Sequence, residues 1–375
     1  MSNGIVVLAQ NTYQNIDLKL QYEGITADVW YEEVEYLAGQ HVWYKNNIYK
    51  APKNVSKNTK FSEDKFELTI NNVKLYSDKN KYLEYKELFT GDLVLADNRI
   101  YLVNYDGKIN YVEQACVLAM SLKVLNPDTK ISIITNDSVP KDYQKLFDQI
   151  IPIPFGDSAI DSDWKIENRW KLYHASPYDE TIVMDTDMLV LQDISSWWNF
   201  LANYKIFFPN RVYTYRGTEA DTSYYRKVFK VNNLPNLFSG LHYFKKSDEA
   251  QEFYHWLELV VTNWEEFYEV FLKGVTRPTH MSIDVCASIV ALILNCTDKI
   301  TNSNVSFPSF THMKKNCQDW VDGAETWQDR VGFYISRDCK IKIGNYNQTG
   351  ILHYTENNFL EKSPVLERYR NLINV

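Results

Sequence analysis

The chain is 375 residues long, 45% hydrophobic and 23% charged, the profile of a globular protein with room for two domains and a large core. Its net charge of −8, with no dense run of Lys or Arg, argues against nucleic acid as the principal partner, since backbone phosphates are met by clustered cations. The five scattered cysteines have no metal-site spacing and read as reduced thiols; with no signal peptide and no run of ~20 apolar residues, a soluble, cytoplasmic protein is expected.

In chain order, residues 1–97 have the texture of a small β-rich domain. Gly4–Ala9, Val42–Tyr44, Ile48–Ala51 and Phe66–Ile70 are short β-branched or alternating runs set apart by Asn, Lys and Gly, as in small antiparallel hairpins. Gly39–Ala51 and Gly91–Val103 share Gly, Val, Asn, Ile and Tyr in register, as a repeated hairpin would.

From residue 98 onward strands and helices alternate. Ile100–Val103 reads as a strand, Tyr111–Leu125 as a helix with apolar residues at Ala115, Leu118, Ala119 and Leu122, and Ile131–Ile134 as a strand. A short helix at Lys141–Phe147, a strand at Ile150–Ile153, a helix at Arg169–Ala175 and a strand pair over Thr181–Leu191 follow. Amphipathic helices come next at Asp248–Val261 and Asn263–Lys273, and a buried one at Cys286–Cys296. Such alternation predicts an α/β domain on a mainly parallel sheet over residues 98–375.

Two acids, Asp185 and Asp187, interrupt the apolar run Thr181–Leu191. Burying both is costly unless positive charge meets them. Three arrangements satisfy that demand. Strand-end carboxylates coordinate a divalent cation that bridges a diphosphate, at the carboxyl end of a strand where open α/β sheets bind ligands. A haloacid-dehalogenase-type aspartyl nucleophile has the same tripeptide but sits on the first strand and continues with Gly or Val and Thr, not Met188 and Leu189. In the third, one Asp caps a turn and the other pairs with a cation.

The surrounding motifs favour the first. Tyr101–Asn104 followed by Tyr111–Leu122, then Thr135–Asp137, then Arg169–Tyr178 ahead of Val183–Asp185, then Leu237–Leu241 and finally Leu352–Tyr354 follow one another in order. Over residues 99–360 this set resembles GT-A fold glycosyltransferases of the glycogenin and bacterial galactosyltransferase family (family 8-like). The resemblance implies Asp185, Asp187 and His353 as metal ligands, a set that suits Mn²⁺ (or Mg²⁺). It implies Asn104 and Tyr111 as base and ribose contacts, Arg169 and Lys171 as cations for the diphosphate, and Ser239 and Gly240 beside the donor sugar, the Gly allowing close approach.

Departures from the family pattern fall around the sugar. Phe238 stands where the family has Asn, with Asn236 as a candidate replacement. Of the family's Asp-Gln-Asp only Asp284 remains, and with Ser239 it is the candidate catalytic pair. The late Gly is gone and the Lys is shifted to Lys362, the candidate diphosphate contact. Retention of configuration is implied by the resemblance alone.

Residues 30–51 resemble small carbohydrate-binding modules of the type 5/12 class, with Gln40 and Asn46 in place of the usual Asp and turn Gly. Trp30 and Tyr36 read as that module's core, and Trp43 or Trp30 as a sugar platform. Aromatic residues make up 15% of the chain, with 27 Tyr and 10 Trp, which suits sugar-facing surfaces and β-rich cores alike. The reading is therefore a metal-dependent hexosyltransferase using a nucleotide sugar, UDP-hexose being the donor class the resemblance implies, and a carbohydrate or other hydroxyl acceptor. Its rivals are a nucleotide-sugar pyrophosphorylase, which needs a Gly-rich loop that Asn104–Lys108 does not supply, and a non-catalytic carbohydrate-binding or structural protein.

Overall fold

The computed structural model describes residues 2–11, 19–22, 25–44, 47–70, 92–96, 99–103, 109–159, 165–223, 225–318, 320 and 326–374. The chain opens with β1 (Asn3–Leu8), then forms β2 (Lys19–Tyr22), β3 (Ile25–Val29), β4 (His41–Tyr44), β5 (Asn47–Lys50), β6 (Glu67–Ile70), β7 (Asp92–Ala96) and β8 (Arg99–Val103). It continues with β9 (Ile131–Ile134), β10 (Gln149–Ile151), β11 (Glu180–Met184), β12 (Met188–Val190), β13 (Ile206–Phe207) and β14 (Leu241–Lys245). The last strands are β15 (Phe310–His312), β16 (Phe333–Ile335), β17 (Ile341–Ile343), β18 (Tyr346–Asn347) and β19 (Ile351–His353).

Two units emerge, one of Met1–Asn11 with Ile109–Val375 and one of Thr12–Lys108. The larger is a mixed α/β structure on a six-stranded sheet of order β10-β9-β1-β11-β14-β13. The first four strands run parallel, and β14 and β13 close the other edge antiparallel. Both faces are covered. Ile5 and Val7 pack with the helices Tyr111–Leu125 and Val365–Ile373, while Val6 and Val183 pack with Asp248–Thr262 and Ile283–Ile293.

The expected boundary at residue 97 is corrected here. β1 pairs with β9 on one side and β11 on the other, at the centre of the large sheet, so Thr12–Lys108 is an insertion within the α/β unit. Gly4–Ala9 is a continuous apolar run, which is what a parallel strand buried on both faces requires; an exposed hairpin strand would alternate. Ile100–Val103, expected to open the α/β alternation, pairs with β7 in a hairpin of the inserted unit.

Within the inserted unit, β2-β3-β4-β5-β6 form one sheet, parallel at β3–β4 and antiparallel elsewhere. Both halves of the sequence echo are antiparallel hairpins, β4–β5 and β7–β8. Trp30 and Tyr36 stack with ring centroids 4.7 Å apart and are buried with Val42, Tyr49 and Phe66, so Trp30 is core and not a platform.

Candidate metal centre and the cavity around it

β11 delivers the acids. Where it ends, Asp185 N–H donates to Gly240 O at 2.7 Å, and Asp187 O accepts from Tyr354 N–H at 3.1 Å. Between them Thr186 donates its hydroxyl to Gln114 Oε1 at 2.9 Å, turning toward the helix Tyr111–Leu125. β12 then pairs antiparallel with β19, with Met188 opposite His353, which is how a residue so far along the chain arrives beside Asp187. β15 lies parallel to β19 with His312 opposite His353.

Ligand atoms of Asp185, Asp187 and His353 all lie within 4.8 Å of one another. His353 Nε2 is 2.9 Å from Asp187 Oδ2, and its Nδ1 faces His312 Nδ1 at 3.0 Å. As it stands Nε2–H donates to Asp187 Oδ2; with the shared proton on His353 Nδ1 donated to His312, loss of the Nε2 proton would turn its lone pair toward the carboxylates, as a ligating imidazole requires. Burial holds the His312 pKa well below its ordinary value, so this ring is neutral and able to accept. Burial also works against charge on His353, but the Asp187 carboxylate outweighs it and holds that pKa above the ordinary value. Two hard carboxylates and one imidazole fit Mn²⁺ or Mg²⁺. Gly240 belongs to the same design: a Cβ there would overlap Asp185 Oδ2.

The cluster opens on a cavity of about 240 Å³, whose walls include Arg169, Asp185, Gly240, Asp284, His312 and His353. Arg169 Nη2 donates to Asp185 Oδ1. At the far end, Asp284 Oδ1 accepts from Ser239 N–H at 2.8 Å and from the Ser239 hydroxyl, while Oδ2 accepts from Arg226 Nη1 at 2.6 Å. Arg226 also donates from Nε to Asn236 Oδ1 and from Nη2 to Leu237 O, both at 2.5 Å. Its guanidinium lies 4.0 Å from the Phe229 ring and 4.1 Å from Phe238. Arg226 therefore fixes the segment Asn236–Phe238 as well as Asp284.

The expected site residues divide accordingly. Asp185, Asp187, His353, Arg169, Ser239, Gly240 and Asp284 share the cavity or its metal cluster. Tyr111 starts its helix, where Asn110 Oδ1 accepts from Glu113 N–H and Asn11 Oδ1 from Val112 N–H. Burial first, then the Asp187 and Asp185 carboxylates, push its phenol up to about 12. Asn104 lies outside the described residues.

Lys171 and Lys362 are elsewhere. Lys171 is buried and spends its ammonium on Gly156 O at 2.6 Å, Ser158 Oγ at 2.8 Å and Asn168 Oδ1 at 2.7 Å. Arg169 and Lys171 fall on one tight 3₁₀ turn and point apart, so only Arg169 serves the cavity. Lys362 ends a short helix, 3.9 Å from Asp329, and does not line the cavity. Asp284, expected as a catalytic group, has both oxygens engaged. His312 and Arg226 were not found in the sequence, because their roles come from strand pairing and from partners distant in the chain.

No protein-family model and no curated protein matches the chain. Solved structures similar to it include the galactosyltransferase LgtC in complex with donor and acceptor sugar analogues, at 12% identity and a TM-score of 0.39, covering 71% of this chain and 92% of that one. The bifunctional glycosyltransferase WbbM is 13% identical with a TM-score of 0.38, covering 70% of this chain and 48% of its own. The glycosyltransferase GlyE of Streptococcus pneumoniae is 14% identical with a TM-score of 0.30, covering 52% and 42%. Likeness this remote carries no activity across, and the chemistry rests on the chain's own residues.

Proposed function

We propose that this chain is a GT-A-type glycosyltransferase that uses a divalent cation to transfer a hexose from a nucleotide sugar, UDP-linked by the resemblance, to a hydroxyl acceptor. One observation carries the reading: Asp185, Asp187 and His353 converge within 4.8 Å at the carboxyl end of β11, on a cavity that also holds Arg169. These three side chains would hold Mn²⁺ or Mg²⁺, which when bound offsets the negative charge that builds on a departing nucleoside diphosphate. Arg169, on the same side of the cavity, adds a fixed guanidinium charge for the diphosphate. Tyr111 offers its ring to the base, and Gly240 leaves room for the Asp185 carboxylate itself.

Asp284 acts as a positioning residue. Both its oxygens are committed to Ser239 and Arg226, so it holds the Ser239–Gly240 turn in place and is not free to attack an anomeric carbon. Retention, taken from the resemblance, then proceeds without a covalent link through Asp284.

The test incubates the full chain with UDP-glucose, UDP-galactose, UDP-N-acetylglucosamine and GDP-mannose, with and without Mn²⁺, and follows nucleoside diphosphate release. Release from at least one donor only with metal supports the proposal. In parallel, Mn²⁺ binding is read by electron paramagnetic resonance on wild type and Asp187→Ala. Wild-type protein that neither binds Mn²⁺ nor turns over any donor would rule the reading out.

A further inference from the structure

The strand that carries His312 has a second face. Successive side chains of a strand point to opposite sides, and Thr311, next to His312 on β15, lines a separate open cavity of about 320 Å³. Three tyrosines, Tyr213, Tyr215 and Tyr346, form much of its wall. Tyr346 is 45% exposed and meets the buried Tyr215 edge-on, with ring centroids 5.8 Å apart. The Arg216 guanidinium lies 4.9 Å from the Tyr215 ring.

The aromatic pair is held from behind by amides. Gln348 Nε2 donates to Tyr215 O at 2.9 Å and to Tyr346 O at 3.0 Å. Gln318 Oε1 accepts from Tyr215 N–H at 3.2 Å, and its Nε2 donates to His312 O at 2.7 Å. A rigid ring platform is thus tied to the strand that supports the metal cluster. The remaining wall is neutral and hydrogen-bonding, with Asn347, Thr349 and Ser309 among its groups and no carboxylate.

The exposed Tyr346 ring and the rim of amide and hydroxyl groups together match the chemistry of a pyranose, whose faces are C–H and whose edge is hydroxyl. A phosphate-bearing ligand would need more cations than Arg216, and an apolar peptide would leave the rim unpaired. The volume is near the lower end of small-molecule sites, ~300–1,000 Å³, which suits a short saccharide. We propose that this groove is a saccharide-binding site distinct from the metal-bearing cavity, holding a pyranose unit of a glycan against Tyr346. That the glycan is the acceptor rests on the transferase reading; that the groove takes sugar does not.

Binding is measured by saturation-transfer difference NMR on the full chain, without nucleotide or metal, using lactose, cellobiose and N,N′-diacetylchitobiose up to about 50 mM. At least one is expected to bind saturably with a Kd of about 1 mM. Tyr346→Ala should weaken it at least ~10-fold, and Asn347→Ala should weaken it less. Tyr334→Ala, 63% exposed on β16 of the neighbouring strands, should leave it unchanged. The proposal is overturned if none of the three sugars binds, if Tyr334→Ala weakens binding as much as Tyr346→Ala, or if Tyr346→Ala and Asn347→Ala both bind like wild type, which would place the sugar elsewhere on the chain.

Discussion

At one end of the cavity, Asp185 and Asp187 face His353, with one ligand atom of each within 4.8 Å of the others, while Asp185 Oδ1 is also met by Arg169 and Asp187 Oδ2 by His353. At the other end, Asp284 is surrounded by donors fixed to the chain: the Ser239 amide and hydroxyl and the Arg226 guanidinium. Both ends bury negative charge beside positive charge, yet one is complete without a ligand and the other is arranged around one. From that difference we expect Asp284 to position its neighbours and the Asp185–Asp187–His353 cluster to be where a ligand is taken up.

The largest effect should come from breaking the convergent end. Asp187→Ala removes one of three ligands, and we expect donor turnover to fall at least ~1,000-fold with loss of the protein-bound Mn²⁺ signal. Its fold should stay intact by far-UV circular dichroism, with some loss of stability because His353 is left without its carboxylate partner. The saturated end should behave in the opposite way. Arg226→Leu leaves Asp284 without its cation and Asn236 and Leu237 O without donors. Since Asp284 keeps 23% side-chain exposure, the loss should be about 2–4 kcal/mol of unfolding free energy, in the lower part of the range for a broken buried pair. Urea unfolding measures it, and an Arg226→Leu protein as stable as wild type would erase the distinction.

How much of this was legible follows from range. Asp185 and Asp187 stood out because two acids break an apolar run, a local signal. His353 was reached through ordered motifs; pairing of β12 with β19 then accounts for its place. β1 was assigned to the wrong unit because the insertion separates it from its helix, although its unbroken apolar pattern already fits a central parallel strand. Arg169 and Lys171 read alike in the sequence because a 3₁₀ turn cannot be told from an α-helix over so few residues. Arg226 and His312 carried no local mark: their partners Asp284 and His353 lie 58 and 41 residues away.

A smaller and sharper test concerns the support of each end. His312→Phe keeps an aromatic ring beside His353 but removes the acceptor for its Nδ1. Mn²⁺ affinity should fall ~10–100-fold, the usual cost of losing a partner behind a metal-binding histidine, with little change in unfolding. The saturated end has its own histidine: His242 Nδ1 meets Ser239 O at 2.7 Å and Nε2 meets Tyr254 OH at 2.7 Å. Burial pushes its pKa down to about 3 from 6.5. The unfolded chain takes up this proton near pH 6.5 and the folded chain does not until about pH 3, so this contribution is complete above pH 6.5 and lost as pH falls. Well inside that window the loss is about 1.4 kcal/mol per pH unit. Unfolding midpoints of wild type and His242→Gln at several pH values should show the variant with the flatter dependence.

The smallest effect expected is the most discriminating for how far resemblance carries. Motif order implies a diphosphate contact by Lys362, whereas geometry sets its ammonium 3.9 Å from Asp329 on a short helix and off the cavity wall. Such an exposed, screened pair adds little to stability. Lys362→Ala should therefore change neither donor KM nor turnover by more than ~2-fold, whereas Arg169→Ala, at the cavity, should raise donor KM well beyond that. If Lys362→Ala raised KM as strongly as Arg169→Ala, the helix Phe359–Lys362 would have to swing toward the cavity when donor binds, and the ligand-binding end would extend beyond the cluster at β11.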